Sequence, residues 1–177
     1  MKTLRLPLIV VLGAAAVVGL RAADTPALSR VEVIFSHPEN FTDAAQDQRG
    51  SDMGRDANLD MLKDYLVRRA SPLIPAGDKL TVTFTDIDLA GEYEPWRSAM
   101  HDVRIVKDIY TPKMDLTYQL TDGSGKVLKE GKVHLTDLNF MSEILPVTER
   151  NESLAYDKQL LGNWVSSEFR GLGKDKK

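Results

Sequence analysis

The stretch KLTVTFTDIDLAGEYEPWRSAMHDVRIVKDIYTPKMD, Lys79 to Asp115, carries the pattern that decides the fold. Leu80, Val82 and Phe84 alternate with Thr81, Thr83 and Thr85, the period-2 signature of a strand with one buried face. The parity then flips, and the next apolar residues are Ile87 and Leu89. A one-residue shift of face within a strand is what a bulge produces. Gly91-Glu92-Tyr93-Glu94-Pro95-Trp96 reads as a loop, followed by a short strand from Val103 to Val106. Met114, Leu116, Tyr118 and Leu120 then alternate with Asp115, Thr117 and Gln119 in a second clear strand. Asp122-Gly123-Ser124-Gly125 is a hairpin turn. The return strand runs from Lys126 to Phe140, with a possible second bulge at Gly131. Its parity flips near the end, from Val133 and Leu135 to Leu138 and Phe140.

Before this stretch, VEVIF from Val31 to Phe35 is a first strand ended by Ser36-His37-Pro38. Residues 39–54 are polar and close on Gly50-Ser51-Asp52-Met53-Gly54, a mobile loop. Arg55 to about Ala70 reads as a helix with Leu59, Leu62 and Leu66 at helical spacing, supported by Met61 and Tyr65. Asp52 or Asp56 is its expected cap, and Pro72, Pro75 and Gly77 close it. A last helix runs from about Leu154 to Phe169, capped by Asn151 or Ser153. Leu154, Leu161, Trp164 and Val165 form its stripe, with Tyr156 and Leu160 at the margin, and Gly171 and Gly173 stop it. Strands joined by hairpins with two helices predict an α+β fold: a mainly antiparallel sheet of four to five strands with both helices on one face.

The N-terminus reads as an address. Lys2 and Arg5 precede an unbroken apolar run from Leu8 to Leu20, which is short of the roughly 20 residues of a spanning helix. With Ala22-Ala23 behind it, this is the pattern of a secretory signal peptide over residues 1–22. Residues 23–30 then form a tether, 31–173 a single domain and 174–177 a solvated tail. Removing Lys2, Arg5 and Arg21 leaves 20 basic against 26 acidic residues, a net charge near −6. Such a domain is a poor partner for nucleic acid or anionic lipid. The chain has no cysteine, which excludes thiol catalysis, thiolate metal sites and acylation as a lipoprotein. No later apolar stretch is long enough to cross a membrane.

Two similar stretches offer a candidate site. Thr85-Asp86-Ile87-Asp88-Leu89 parallels Thr136-Asp137-Leu138-Asn139-Phe140. Set side by side at one sheet end, they would gather Asp86, Asp88, Asp137 and Asn139. Carboxylates at that range need a cation or a positive side chain, so Asp86, Asp88 and Asp137 are metal candidates for calcium or magnesium. Arg104 and Lys107 could supply the charge instead. The simpler reading makes these residues the solvent face of a strand. Glu92, Tyr93, Glu94 and Trp96 could hold a sugar or peptide, although Trp96 reads better as a core plug behind Pro95. Glu92 and Glu94 lack evidence of facing each other across a cleft, as a glycosidase pair must. His37, His101 and His134 have no zinc spacing, and there is no G-x-S-x-G, phosphate loop or dinucleotide fingerprint.

The stretches VEVIFSHPENFTDA, LTVTFTDIDLAGEYEPW, DVRIVKDIYTPKMDLTYQL and LTDLNF resemble a bacterial family known as domain of unknown function 3016. The resemblance covers nearly the whole chain beyond residue 22. It implies an exported protein of Gram-negative bacteria, transfers no catalytic residue, and retires the two nominal glycosylation acceptors at Asn40 and Asn151. The resulting expectation is a soluble, non-enzymatic periplasmic module. It would bind an envelope protein or small ligand through the sheet end, without a required cofactor. The alternative is a hydrolase assisted by a divalent cation on Asp86, Asp88 and Asp137.

Overall fold

The computed structural model describes residues 30–45, 51–96, 103–142, 144–145 and 151–172. The expected signal peptide, nearly all of the tether, the tail, part of the 39–54 loop, and His101 lie outside these residues. The strands are β1 (Val31–Phe35), β2 (Lys79–Asp88), β3 (Glu92–Tyr93), β4 (Arg104–Ile105), β5 (Lys113–Thr121) and β6 (Val127–Thr136). The helices are α1 (Asp52–Ala70) and α2 (Ala155–Phe169). The fold is α+β.

The main sheet has the order β1-β2-β5-β6. The β2–β5 and β5–β6 pairs are antiparallel, as expected from the hairpin. β1, however, joins β2 in parallel, with Val31 opposite Leu80 and Phe35 opposite Phe84. The sheet is therefore mixed. Parallel neighbours need a long crossover, and α1 supplies it.

Alternation puts Val31, Val33, Leu80, Val82, Phe84, Leu116, Tyr118 and Leu120 into one core with Leu59, Leu62 and Leu66 of α1 and Leu161, Trp164, Val165 and Phe169 of α2. Each fully buried leucine contributes about 1.5–3 kcal/mol by leaving water. The opposite face carries Thr81, Thr83, Thr117, Gln119, Glu130 and Lys132 and stays polar. This is a two-layer fold with both helices on one side.

The β2 bulge falls where the parity flip puts it, between Phe84 and Asp86. It returns Ile87 to the buried face beside Phe84. The second bulge lies at Leu128, where Leu120 pairs Lys129 but Thr121 pairs Val127, and not at Gly131. Gly131 stands in register opposite Tyr118, where a Cβ would meet the phenol ring at 2.9 Å. Glycine there lets Tyr118 lie flat across β6. The Tyr118 hydroxyl donates to Glu168, whose carboxylate also pairs with Lys129. Burial first, and the carboxylate second, push the Tyr118 hydroxyl up to about 12.

The helix starts differ from expectation. α1 begins at Asp52, and Ser51 caps it by accepting from the Gly54 N–H at 3.1 Å. Asp52 instead pairs with Arg55 in the first turn. α2 follows Leu154, which takes a left-handed conformation at φ 59, and no side chain caps it. Within the 39–54 segment read as a mobile loop, Pro38–Asn40 makes a 3₁₀ turn, residues 52–54 open α1, and Ala44 and Ala45 are buried.

Candidate functional site

The sheet end at which β2 finishes is held by backbone first. The chain at Asp43 runs beside β2, with the Asp43 N–H donating to Ile87 O at 3.0 Å and the Leu89 N–H donating to Asp43 O at 2.9 Å. This extra strand-like partner positions Asp86. Its Oδ1 accepts from the N–H groups of Thr42 (2.7 Å) and Ile87 (2.9 Å), and its Oδ2 accepts from the Thr42 hydroxyl (2.8 Å). Asp88 pairs with Lys113 at 2.8 Å.

Asp137 and Asn139 sit at the same end of the sheet but not beside those residues. β5 runs between β2 and β6, which sets the stretches two strand spacings apart, about 10 Å. β6 also ends at Thr136, so the second parity flip is a departure from the sheet. Asp137 closes its own turn by accepting the Asn139 N–H at 2.8 Å. Among the described residues no three His, Asp or Glu side chains gather to hold a metal ion.

Arg104 meets a different carboxylate from those the sequence suggested. Nη2 donates to both oxygens of Asp43 at 2.8 Å and to Ala45 O at 3.0 Å. Nη1 donates to Gly91 O at 2.8 Å, and the guanidinium lies 4.8 Å from the centre of the Tyr93 ring. Burial works against this cation, but the Asp43 carboxylate outweighs it and the pKa is raised. Glycine is required at 91: its φ is +88, and a Cβ would sit 3.0 Å from the Arg104 side chain and the Ile105 carbonyl. Arg104 thus ties the 42–45 segment to the β3–β4 pair.

Glu92 in β3 and Glu94 just after it lie in different environments. Glu92 is exposed and accepts its neighbour's N–H, from Tyr93, at 3.0 Å. Glu94 is buried, and its Oε1 receives the Lys107 ammonium and the Tyr110 hydroxyl. They do not face each other across a cleft. Trp96 is 70% exposed, so it is not the core plug expected behind Pro95. The residues beyond it, 97–102, lie outside the described set.

A cleft of about 250 Å³ lies between β4 and the start of α2, lined by Ala90, Arg104, Val106, Glu152 and Leu154–Asp157. On its wall is Asp157, 2% exposed, whose Oδ1 accepts the Ala90 N–H at 3.0 Å. Burial pushes this carboxyl up to about 6, against the Ala90 N–H and the Arg104 charge, which both pull it down. Sequence reading missed Asp157, although it stands four residues before Leu161 and seven before Trp164 on the buried stripe. Asp43 had no such signal, because its role comes entirely from residues far along the chain.

Asp43, Asp86, Asp88 and Glu94 at this end are thus each tied to a partner of their own. Large apolar side chains face solvent here beside the exposed acids Glu92 and Asp108: Trp96, Val103, Ile109, Leu138, Met141 and Ile144 are all exposed, with Leu138 at 74% and Ile144 at 87%. They belong to three segments that leave or enter the sheet at this end. No helix among the described residues is long and apolar enough to cross a membrane. No curated protein and no solved structure matches the chain. A family model described as "Protein of unknown function (DUF3016)" matches residues 29–167. With most of its length under that match, the chain belongs to this family of proteins of unknown function.

Proposed function

We propose that this protein is a soluble, exported binding module of the bacterial envelope without catalytic activity. It would grip a protein partner with the apolar side chains at the open end of its sheet. The observation that carries this reading is the exposure of Trp96, Ile109, Leu138 and Ile144 on segments that share that end, beside carboxylates already tied to partners of their own. Large apolar groups standing together in water mark interaction surfaces, and aromatic anchors dominate binding energy at such surfaces. The signal-peptide pattern at the N-terminus and the resemblance to exported Gram-negative proteins support the periplasmic address. The exposed acids of this end, Glu92 and Asp108, suit a partner whose apolar anchor has a basic rim.

The test places a photo-crosslinking amino acid at Trp96, at Leu138, and at Thr81 on the polar sheet face, in the native host. The expected result is one discrete protein adduct shared by positions 96 and 138 and absent at 81, on a chain found in the periplasm without residues 1–22. Identical adducts from all three positions, or a full-length cytoplasmic chain, would overturn the proposal.

A further inference from the structure

We infer that a second cleft, between the last turns of α1 and the start of α2, binds a small molecule bearing a phosphate group. The cleft holds about 210 Å³ and is lined by Tyr65, Arg68, Arg69, Glu152, Ala155 and Lys158. It shares only Glu152 and Ala155 with the cleft beside Arg104. At about 30 Å³ per water it has space for roughly seven waters. A phosphate and a short organic group need no more.

Charge gives the ligand its class. Arg68, Arg69 and Lys158 face one carboxylate, Glu152, so the lining carries a net charge of about +2 in a chain whose overall charge is −3. Like charges that line one small cleft repel, and an anion among them relieves that repulsion. Glu152 answers part of that need. It accepts from Lys158 at 2.9 Å, and that bond, with the charges of Lys158 and Arg68, holds its carboxyl below the usual range. A phosphate monoester carries about −1.5 to −2 near pH 7, which matches the remaining charge. Two guanidinium forks suit its oxygens, and a lysine adds a point charge.

Two of the lining residues, Tyr65 and Arg69, also lie against α2 at Gly162. Gly162 of α2 is buried, and a Cβ there would stand 2.5 Å from the Tyr65 hydroxyl and 3.8 Å from Arg69 Nε. Glycine at 162 therefore lets the phenol and the guanidinium come in against α2. Lys158 is likewise held in place, with its side chain only 12% exposed. Arg68 and Arg69 stand exposed in the last turn of α1, where Arg69 Nη2 also donates to Ser166 Oγ at 3.4 Å, so their backbones are fixed by the helix while their side chains remain free to turn toward a ligand.

The purified protein is titrated by calorimetry at low ionic strength with inorganic phosphate and glycerol 3-phosphate, and separately with vesicles containing phosphatidate. Arg68→Gln/Arg69→Gln is compared with Lys126→Gln/Lys132→Gln, which removes the same charge from the β5–β6 hairpin. The expected result is phosphate-dependent binding that the first pair weakens at least about tenfold and the second leaves within roughly twofold. Glu152→Gln, which removes the resident competitor, should tighten it several-fold. Binding only to the vesicles, lost in the first pair, would assign the phosphate to a lipid headgroup and support the site. No binding to any of the three probes, or equal losses in both double variants, would overturn it. Matching thermal midpoints keep folding out of the comparison.

Discussion

Thr85-Asp86-Ile87-Asp88-Leu89 and Thr136-Asp137-Leu138-Asn139-Phe140 are nearly the same sentence read in two places. In the first, Ile87 and Leu89 are buried, and Asp86 holds three hydrogen bonds from residues on either side of it in space. In the second, Leu138 stands in water, Phe140 is buried against Tyr156 rather than within the sheet, and Asp137 accepts from Asn139, two residues along its own chain. The difference lies in the neighbours. β2 is an inner strand, with β5 on one side and β1, then Asp43, on the other. β6 is the edge of the sheet, and among the described residues no strand pairs with the chain after Thr136. Local pattern proposes a face, and a flanking strand decides whether it is kept.

The largest effect that could break this comparison is in the core. Ile87→Ala opens a cavity and is expected to cost about 2–5 kcal/mol, whereas Leu138→Ala stays within about 0.5 kcal/mol. Urea unfolding of both variants measures this directly, and equal losses would mean that the two stretches are equivalent after all.

Next comes Asp157, which pins Ala90 just after the first stretch. Its carboxyl sits at about 6 in the folded chain against 3.8 ordinarily. Between those values the folded state holds a proton that the unfolded state has released, so its contribution is greatest at low pH. That contribution is lost as pH rises through about 6, for a total near 3 kcal/mol. Asp157→Asn keeps an acceptor for the Ala90 N–H and removes the titration. Its stability relative to the parent should be lowest below pH 4 and highest above pH 7. Parallel pH curves for the two proteins would contradict the burial argument.

A smaller loss is expected for Arg104→Lys. A lysine cannot serve Asp43, Ala45 and Gly91 together, so about 1–3 kcal/mol should disappear, and hydrogen exchange should speed up at Leu89, whose amide bonds Asp43. Unchanged protection at Leu89 would show that backbone pairing alone holds the 42–45 segment. The smallest contrast is between the paired aspartates. Asp86→Asn should cost about 1 kcal/mol through its charge-assisted bonds, and Asp137→Asn should remain within about 0.5 kcal/mol. Thermal unfolding of the two, run with and without calcium or magnesium, sharpens the comparison further. A metal-induced rise in midpoint that both substitutions abolish would restore a shared cation site.

Much of the fold was legible along the chain. The alternation of β2 and β5, the turn at Asp122–Gly125 and the leucine stripe of α1 are one-dimensional signals, because period and face are properties of consecutive residues. The bulge after Phe84 was legible for the same reason. The candidate site was legible only in outline. Arg104 and Lys107 read as counter-charges for Asp86, Asp88 and Asp137, but they meet Asp43 and Glu94 instead, partners that spacing could not match to them. Trp96 was assigned to the core from its size and its neighbour Pro95, yet burial depends on whether another element arrives to cover it.

By itself, then, the sequence determined the types and order of β1, α1, β2, β5, β6 and α2, though not the short β3 within the 91–96 stretch it read as a loop, along with the buried faces of β2 and β5 and the acidic, cysteine-free character of the domain. Each of these follows from side-chain chemistry acting within a few residues. The tertiary structure alone decided that β1 runs parallel to β2, that β5 separates the two Thr-Asp stretches, that Arg104 clamps Asp43, and that Arg68, Arg69 and Lys158 share one cleft. Those facts join residues tens of positions apart, and they are set by which surfaces pack together most completely, a property of the whole chain that no local window contains.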